Sequence, residues 1–176
     1  MRLFQMMADV IIHFLELVYA NLEHEREQDN DMPAPITQNA YEHSTRWQNN
    51  NYDPVTDGFV RDDTPQNDIR EIFRKGWTAS EKGANITFEV EGSCLAVQYR
   101  KSVVQPTPIA KAIVDGNEEH AMILDGNFEE TWGDSLHLDT LAEHLPYGKH
   151  TVRIELIETH EDDKVPFYLV SVIASH

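Results

Sequence analysis

The run Ile86-Thr87-Phe88-Glu89-Val90-Glu91-Gly92, continued by Leu95-Ala96-Val97-Gln98-Tyr99-Arg100, decides the fold class. Ile86, Phe88 and Val90 alternate with Thr87 and Glu89, and Leu95, Val97 and Tyr99 alternate with Ala96, Gln98 and Arg100. A period of two sends successive side chains to opposite faces of a strand, so each run has one face for a core. Glu91-Gly92 between them is turn chemistry. The same alternation returns at Val152, Ile154 and Leu156, against Arg153 and Glu155. Phe167, Leu169, Ser171 and Ile173 lie in a run that is apolar on both faces, which predicts a central strand. Shorter runs at 69–73, 109–114 and 121–124 bring the expected number to about eight, punctuated by Asp115-Gly116, Asp125-Gly126 and Tyr147-Gly148. Short strands with hairpin turns predict a mostly β fold, an antiparallel β-sandwich of the jelly-roll kind, over residues 67–176.

Upstream the material changes twice. Residues 28–66 are rich in Asn, Asp, Gln and Pro, with Pro33, Pro35, Pro54 and Pro65 as breakers. They read as a linker or wrapping segment with one short strand, tied down by Tyr41, Trp47, Tyr52 and Phe59. Asp53 to Gly58 has the look of a calcium loop, but Val55 stands where an oxygen ligand belongs and Thr64 where the closing Glu belongs, so a turn is expected.

Residues 1–27 begin with an amphipathic helix over 3–22. Leu3, Met7, Val10, Ile11, Phe14, Leu15, Val18 and Leu22 recur at spacings of three and four, with Met6, Ile12 and Leu17 beside that stripe. The helix then runs into the charged Glu23-His24-Glu25-Arg26-Glu27. So large an apolar stripe needs a cover. Folding back on the sandwich and a homodimer through helix 3–22 are the two solutions, and the extra apolar positions favour the dimer. Asp9, His13 and Glu16 interrupt the apolar core that a signal peptide requires, so none is expected and a cytoplasmic setting is the expectation.

The 31 acidic residues against 14 basic ones give a net charge of −17, spread over both parts of the chain. Such a field repels phosphate backbones and anionic membranes, so nucleic acid and membrane are not expected partners, while neutral carbohydrate and cations remain open. The single cysteine, Cys94, starts a strand-like run and reads as a buried structural thiol. The nine histidines show no H-x-x-x-H or HExxH spacing, which argues against a zinc enzyme. His137 with Asp139, and Glu143 with His144, are formal ligand pairs whose plainer reading is a surface histidine. No cofactor is expected apart from a structural calcium ion. Its candidate loops are Glu118-Glu119, Glu129-Glu130 and Glu161-Asp162-Asp163, each of which also reads as a solvated loop.

Trp132 is the leading binding candidate. It stands among acidic residues in a Gly-containing loop, where no period calls for burial. An indole face stacks on a sugar ring while a carboxylate such as Asp134 accepts hydroxyl hydrogen bonds, and loop packing is the competing reading. Trp77, beside Gly76, is expected in the core.

Two stretches resemble a known family. Met6-Met7-Ala8-Asp9-Val10-Ile11-Ile12 resembles the helix that ends the SGNH (GDSL-type) hydrolase domain. Gly76-Trp77, Ile86 through Gly92, Val114-Asp115-Gly116, Thr131-Trp132-Gly133-Asp134 and Leu145 through Ile154 are together similar to the galactose-binding-like jelly-roll modules attached to such esterases. The resemblance implies the C-terminal part of an SGNH-type ester hydrolase. It would comprise the last helix of a hydrolase domain missing from this chain, followed by an accessory, carbohydrate-binding, non-catalytic module. The nucleophile, oxyanion and Asp-x-x-His blocks of the family are not matched, so no catalytic residue is carried over. Gly133-Asp134-Ser135-Leu136 spells the family's nucleophile motif but lies late in an all-β pattern, with no strand–helix unit around it. Two alternatives stand beside this expectation: a small serine esterase using Ser135 and His137, and a purely structural sandwich.

Overall fold

The computed structural model describes residues 2–21, 41, 43–65, 72–130 and 132–176. The chain divides into two units, Met1–Thr37 and Gln38–His176. The first holds α1 (Arg2–Asn21), within which Met6, Met7, Val10, Ile11, Ile12, Phe14, Leu15 and Leu17 are all exposed. The charged stretch expected after it, and residues 28–40 of the expected linker, lie outside the described residues.

The second unit is an antiparallel two-sheet sandwich. Its strands are β1 (Thr45–Trp47), β2 (Val55–Asp57), β3 (Val60–Arg61), β4 (Trp77–Ala79), β5 (Asn85–Gly92), β6 (Cys94–Lys101), β7 (Ile109–Val114), β8 (Met122–Asp125), β9 (Ser135–Ala142), β10 (Gly148–Glu158) and β11 (Phe167–Ser175). One sheet runs β3-β4-β11-β6-β9, with β1 also pairing β11, and the other runs β2-β5-β10-β7-β8. The alternation read from the sequence is the packing itself. Ile86, Phe88 and Val90 of β5, Leu95, Val97 and Tyr99 of β6, and Val152, Ile154 and Leu156 of β10 all point into the core. Each such large side chain removed from water stabilises the fold by roughly 1.5–3 kcal/mol. β11 lies between β4 and β6, and of its nine residues only Ile173 is not fully buried, as a central strand requires. Trp77 is buried and meets Phe88 edge-on at 5.2 Å, while a Cβ at Gly76 would run into the Leu169 carbonyl. Cys94 is a buried free thiol.

The sandwich begins earlier than residue 67, because the expected wrapping segment supplies three strands rather than one. β1 pairs β11, β2 pairs β5 and β3 pairs β4, all within residues 45–61. At two or three residues each, they are too short to show a period of their own and take their conformation from the strands they join. The strand expected at 69–73 falls largely outside the described residues, and Ile72 and Phe73 are not in a strand. β4 and β9 are further strands that the alternation in the sequence does not predict.

β9 is the instructive one, since its amphipathicity is inverted. Its register on β6 sets His137 opposite Tyr99 and Asp139 opposite Val97, on the inward face, and Leu136 and Leu138 opposite Arg100 and Gln98, on the outward face. Leu138 is accordingly 53% exposed.

Asp115-Gly116 does form the tight turn expected of it. Both residues have positive φ (51° and 72°), and the Asn117 N–H bonds the Val114 carbonyl at 2.9 Å, the pattern of a type I′ turn. The Asp115 carboxylate then accepts from the Thr151 N–H at 2.8 Å and from His150 Nδ1 at 2.7 Å, while His150 Nε2 meets the Pro146 carbonyl at 2.9 Å. Burial alone would lower the His150 pKa, but these two acceptors outweigh it and raise it.

Candidate functional site

The loops between β6 and β7 and between β8 and β9 form one bonded layer at one end of the sandwich. The Ser102 N–H donates to the Gly126 carbonyl at 2.7 Å, and the Phe128 N–H donates to the Ser102 carbonyl at 2.9 Å. Asn127 accepts from the Thr107 N–H at 3.0 Å and donates to the Thr107 carbonyl at 3.2 Å and to Asp125 at 2.8 Å. Gln105 Nε2 donates to the Phe128 carbonyl at 2.6 Å. Trp132 stands out from this layer, 73% exposed, with its ring edge-on to Phe128 at 5.7 Å. It is a largely exposed indole on a backed loop, with exposed Glu129 and Glu130 close by in sequence.

Asp134 has a different job. Its Oδ1 accepts from Ser102 Oγ at 2.9 Å and from the Val103 N–H at 3.0 Å, and its Oδ2 lies 3.8 Å from Arg100 Nε. These bonds tie the start of β9 to the end of β6. The carboxylate read as a partner for sugar hydroxyls is thus already engaged by the protein, through one oxygen fully and the other weakly.

Ser135 and His137 share a face of β9, as their spacing requires. His137 Nε2 is 3.4 Å from Asp139 Oδ1, and Tyr99 donates its hydroxyl to Asp139 Oδ2 at 3.0 Å. Burial, then the neighbouring Asp139 carboxylate, push the Tyr99 phenol far above its ordinary value, so it is a fixed donor. No hydrogen bond joins Ser135 to His137 among the described residues. Ser135 opens an edge strand rather than a helix, so the Gly133–Leu136 motif lacks the strand–turn–helix that presents a serine nucleophile.

The candidate calcium loops are partly committed elsewhere. Glu118 pairs with Lys111 Nζ at 2.7 Å, and Asp163 bonds the His160 N–H at 2.8 Å and its ring at 3.2 Å. Among the described residues no three or more His, Cys, Asp or Glu side chains converge as a metal-binding group.

No protein-family model matches the sequence, and no curated protein matches it. Among solved structures, a two-domain esterase active on acetylated mannans, co-crystallised with mannopentaose, is 53% identical over 97% of this chain, with a TM-score of 0.83. The same kind of esterase without that sugar is 52% identical over 97% of the chain, with a TM-score of 0.84. A family two carbohydrate esterase from Cellvibrio japonicus, at 14% identity over 75% of this chain and 33% of its own, shares the fold with a TM-score of 0.51. The chain spans 45% and 46% of the two mannan-esterase structures. In sequence and fold together, it is similar over nearly its whole length to a little under half of a two-domain esterase, in agreement with the esterase resemblance of Met6–Ile12 and of the sandwich motifs.

Proposed function

We propose that this chain is a non-catalytic, carbohydrate-binding accessory module of an esterase that acts on acetylated mannan-type polysaccharide. The observation that carries the reading is the 53% identity extending over 97% of the chain, helix included, to an esterase crystallised with mannopentaose. Trp132 is the stacking surface for a sugar ring, and the module holds glycan beside a hydrolase domain that supplies the chemistry. The exposed apolar residues of α1 pack on that hydrolase domain in the intact protein, and in its absence they pair two copies of the chain. The −17 net charge supports a neutral glycan over an anionic one.

Titration calorimetry with mannopentaose tests the reading. The chain binds, and Trp132→Ala weakens binding by roughly 1–3 kcal/mol, the loss expected when an aromatic anchor is removed, with the melting temperature unchanged. In the same preparations, aryl acetate hydrolysis stays at the level of the Ser135→Ala variant. No binding by the unaltered chain, or turnover that Ser135→Ala abolishes, would overturn it.

A further inference from the structure

A second cleft lies away from the Trp132 loop, where β1 and the turn after it meet β5. Trp47, Tyr52, Glu89, Val90, Glu91 and Lys149 line it, and its volume is about 340 Å³. Trp47 and Tyr52 are half-buried and set nearly at right angles, 76° apart with ring centres at 6.4 Å. Phe88 supports the Tyr52 ring from the core side, stacked at 5.5 Å.

The turn that carries both aromatics is held from below. Asn49, 3% exposed, donates its side-chain amide to the Asp62 and Gly76 carbonyls at 2.7 and 2.9 Å, and its own N–H to the Lys75 carbonyl at 2.8 Å. The Tyr52 N–H bonds the Gln48 carbonyl at 3.0 Å, and Asn51 Oδ1 accepts from the Gln48 N–H at 2.7 Å. The aromatic corner is therefore built before any ligand arrives, which lowers the ordering cost of binding.

Among the described residues, the floor of the cleft is an open stretch of strand edge. β2 covers β5 only from Asn85 to Thr87. Beyond it, the Tyr52 hydroxyl does what a neighbouring strand would do, donating to the Glu89 carbonyl and accepting from the Glu89 N–H, both at 3.0 Å. The two-residue alternation of an antiparallel ladder turns the Glu91 N–H and C=O to this same edge. A hydroxyl, at once donor and acceptor, is the group that completes such a pair, as Tyr52 demonstrates one step away. Glu89, Glu91 and Lys149 are exposed around it; the Glu91 carboxylate already accepts from the Tyr147 hydroxyl, while Glu89 adds a charged acceptor and Lys149 a donor for further hydroxyls.

We propose that this cleft is a second sugar site, taking one pyranose ring of a neutral glycan against the Trp47–Tyr52 corner, with ring hydroxyls on the Glu91 backbone and on Lys149. The inference rests on the reading of the chain as a glycan-binding module and adds a site separate from Trp132. An added peptide strand fits the edge poorly, because the Tyr52 hydroxyl already occupies the Glu89 pair and leaves one residue pair rather than a row.

The chain's three tryptophans provide the test, as three indole N–H signals in a nitrogen–proton correlation spectrum, assigned through Trp→Phe variants and titrated with mannopentaose. The Trp47 and Trp132 signals shift saturably, and that of the core residue Trp77 stays still. Lys149→Ala, an exposed position that leaves the fold intact, weakens the Trp47 response about tenfold, in the range of a lost interface anchor, and leaves the Trp132 response unchanged. Trp132 shifting while Trp47 does not would overturn the second site and leave the module reading standing. Silence at all three signals would overturn both.

Discussion

The sandwich has two long sides where its sheets part, and they are closed in opposite ways. On the side of β1 and β2, aromatic rings fill the gap: Tyr52 lies on Phe88, Trp47 stands against Tyr52, and the Tyr52 hydroxyl finishes the β5 edge. On the side of β8 and β9, polar groups fill it: Asp139 bridges Tyr99 and His137 on a strand whose Leu136 and Leu138 face outward. A ring excludes water and stabilises by area, whereas a half-exposed carboxylate–imidazole pair leaves its groups partly in water and adds little. The aromatic side should therefore be stiffer and more sensitive to substitution than the polar side.

The largest expected effect concerns Asp62, which follows β3 on the aromatic side. Its carboxylate accepts the Tyr168 hydroxyl at 2.6 Å and the Thr64 N–H at 3.0 Å. Burial alone would raise this carboxyl, but those bonds, with Arg100 nearby, hold it below the usual range. Asp62→Ala should cost about 1.5–3 kcal/mol, as for hydrogen bonds to a charged group, read from chemical denaturation near neutral pH. Because the folded pKa is depressed, this stabilisation is present above the unfolded value of about 3.9 and lost as pH falls through the folded pKa. The variant and the parent chain should thus converge in stability in acid. A gap of constant size down to the lowest pH would show that the charge plays no part.

Tyr52→Phe comes next. It keeps the ring stack and removes only the hydroxyl from Glu89, for about 1–2 kcal/mol, since water reaches part of the exposed edge. Amide exchange at Glu89 should quicken while exchange in β11 is unaltered. The smallest effect is expected on the polar side, where His137→Ala should change stability by less than about 0.5 kcal/mol. A loss as large as that of Tyr52→Phe would mean the two sides are not different after all.

The same contrast explains what could be read from the chain alone. β5, β6 and β10 announce themselves because each buries one face, which writes an alternation into the residues, and β11 because it buries both, which writes a continuous apolar run. β9 does not, because His137 and Asp139 stand at inward positions while Leu136 and Leu138 face outward, so over most of its length its pattern points the wrong way for a core strand. The prominence of Trp132 follows from a glycine-flanked, acidic loop that offers an indole no apolar neighbours in sequence. The engagement of Asp134 by Ser102 and Val103 is invisible without the fold, since those partners lie 32 and 31 residues away. The Trp47–Tyr52 corner is hidden for the same reason: it depends on where β2 stops along β5.

The inverted face of β9 also bears on how copies of this chain avoid each other. An eight-residue strand at a sheet border is an invitation to pair with a like strand from another molecule. A second β9 laid alongside would extend both sandwiches and bring its own His137 and Asp139 towards the carboxylate already there, drawing like charges together while stripping their water. Inward-pointing charge at a border strand makes that step unfavourable. The side of the sandwich that contributes least to holding the fold together is, on this view, the one that keeps the protein from polymerising through its sheets.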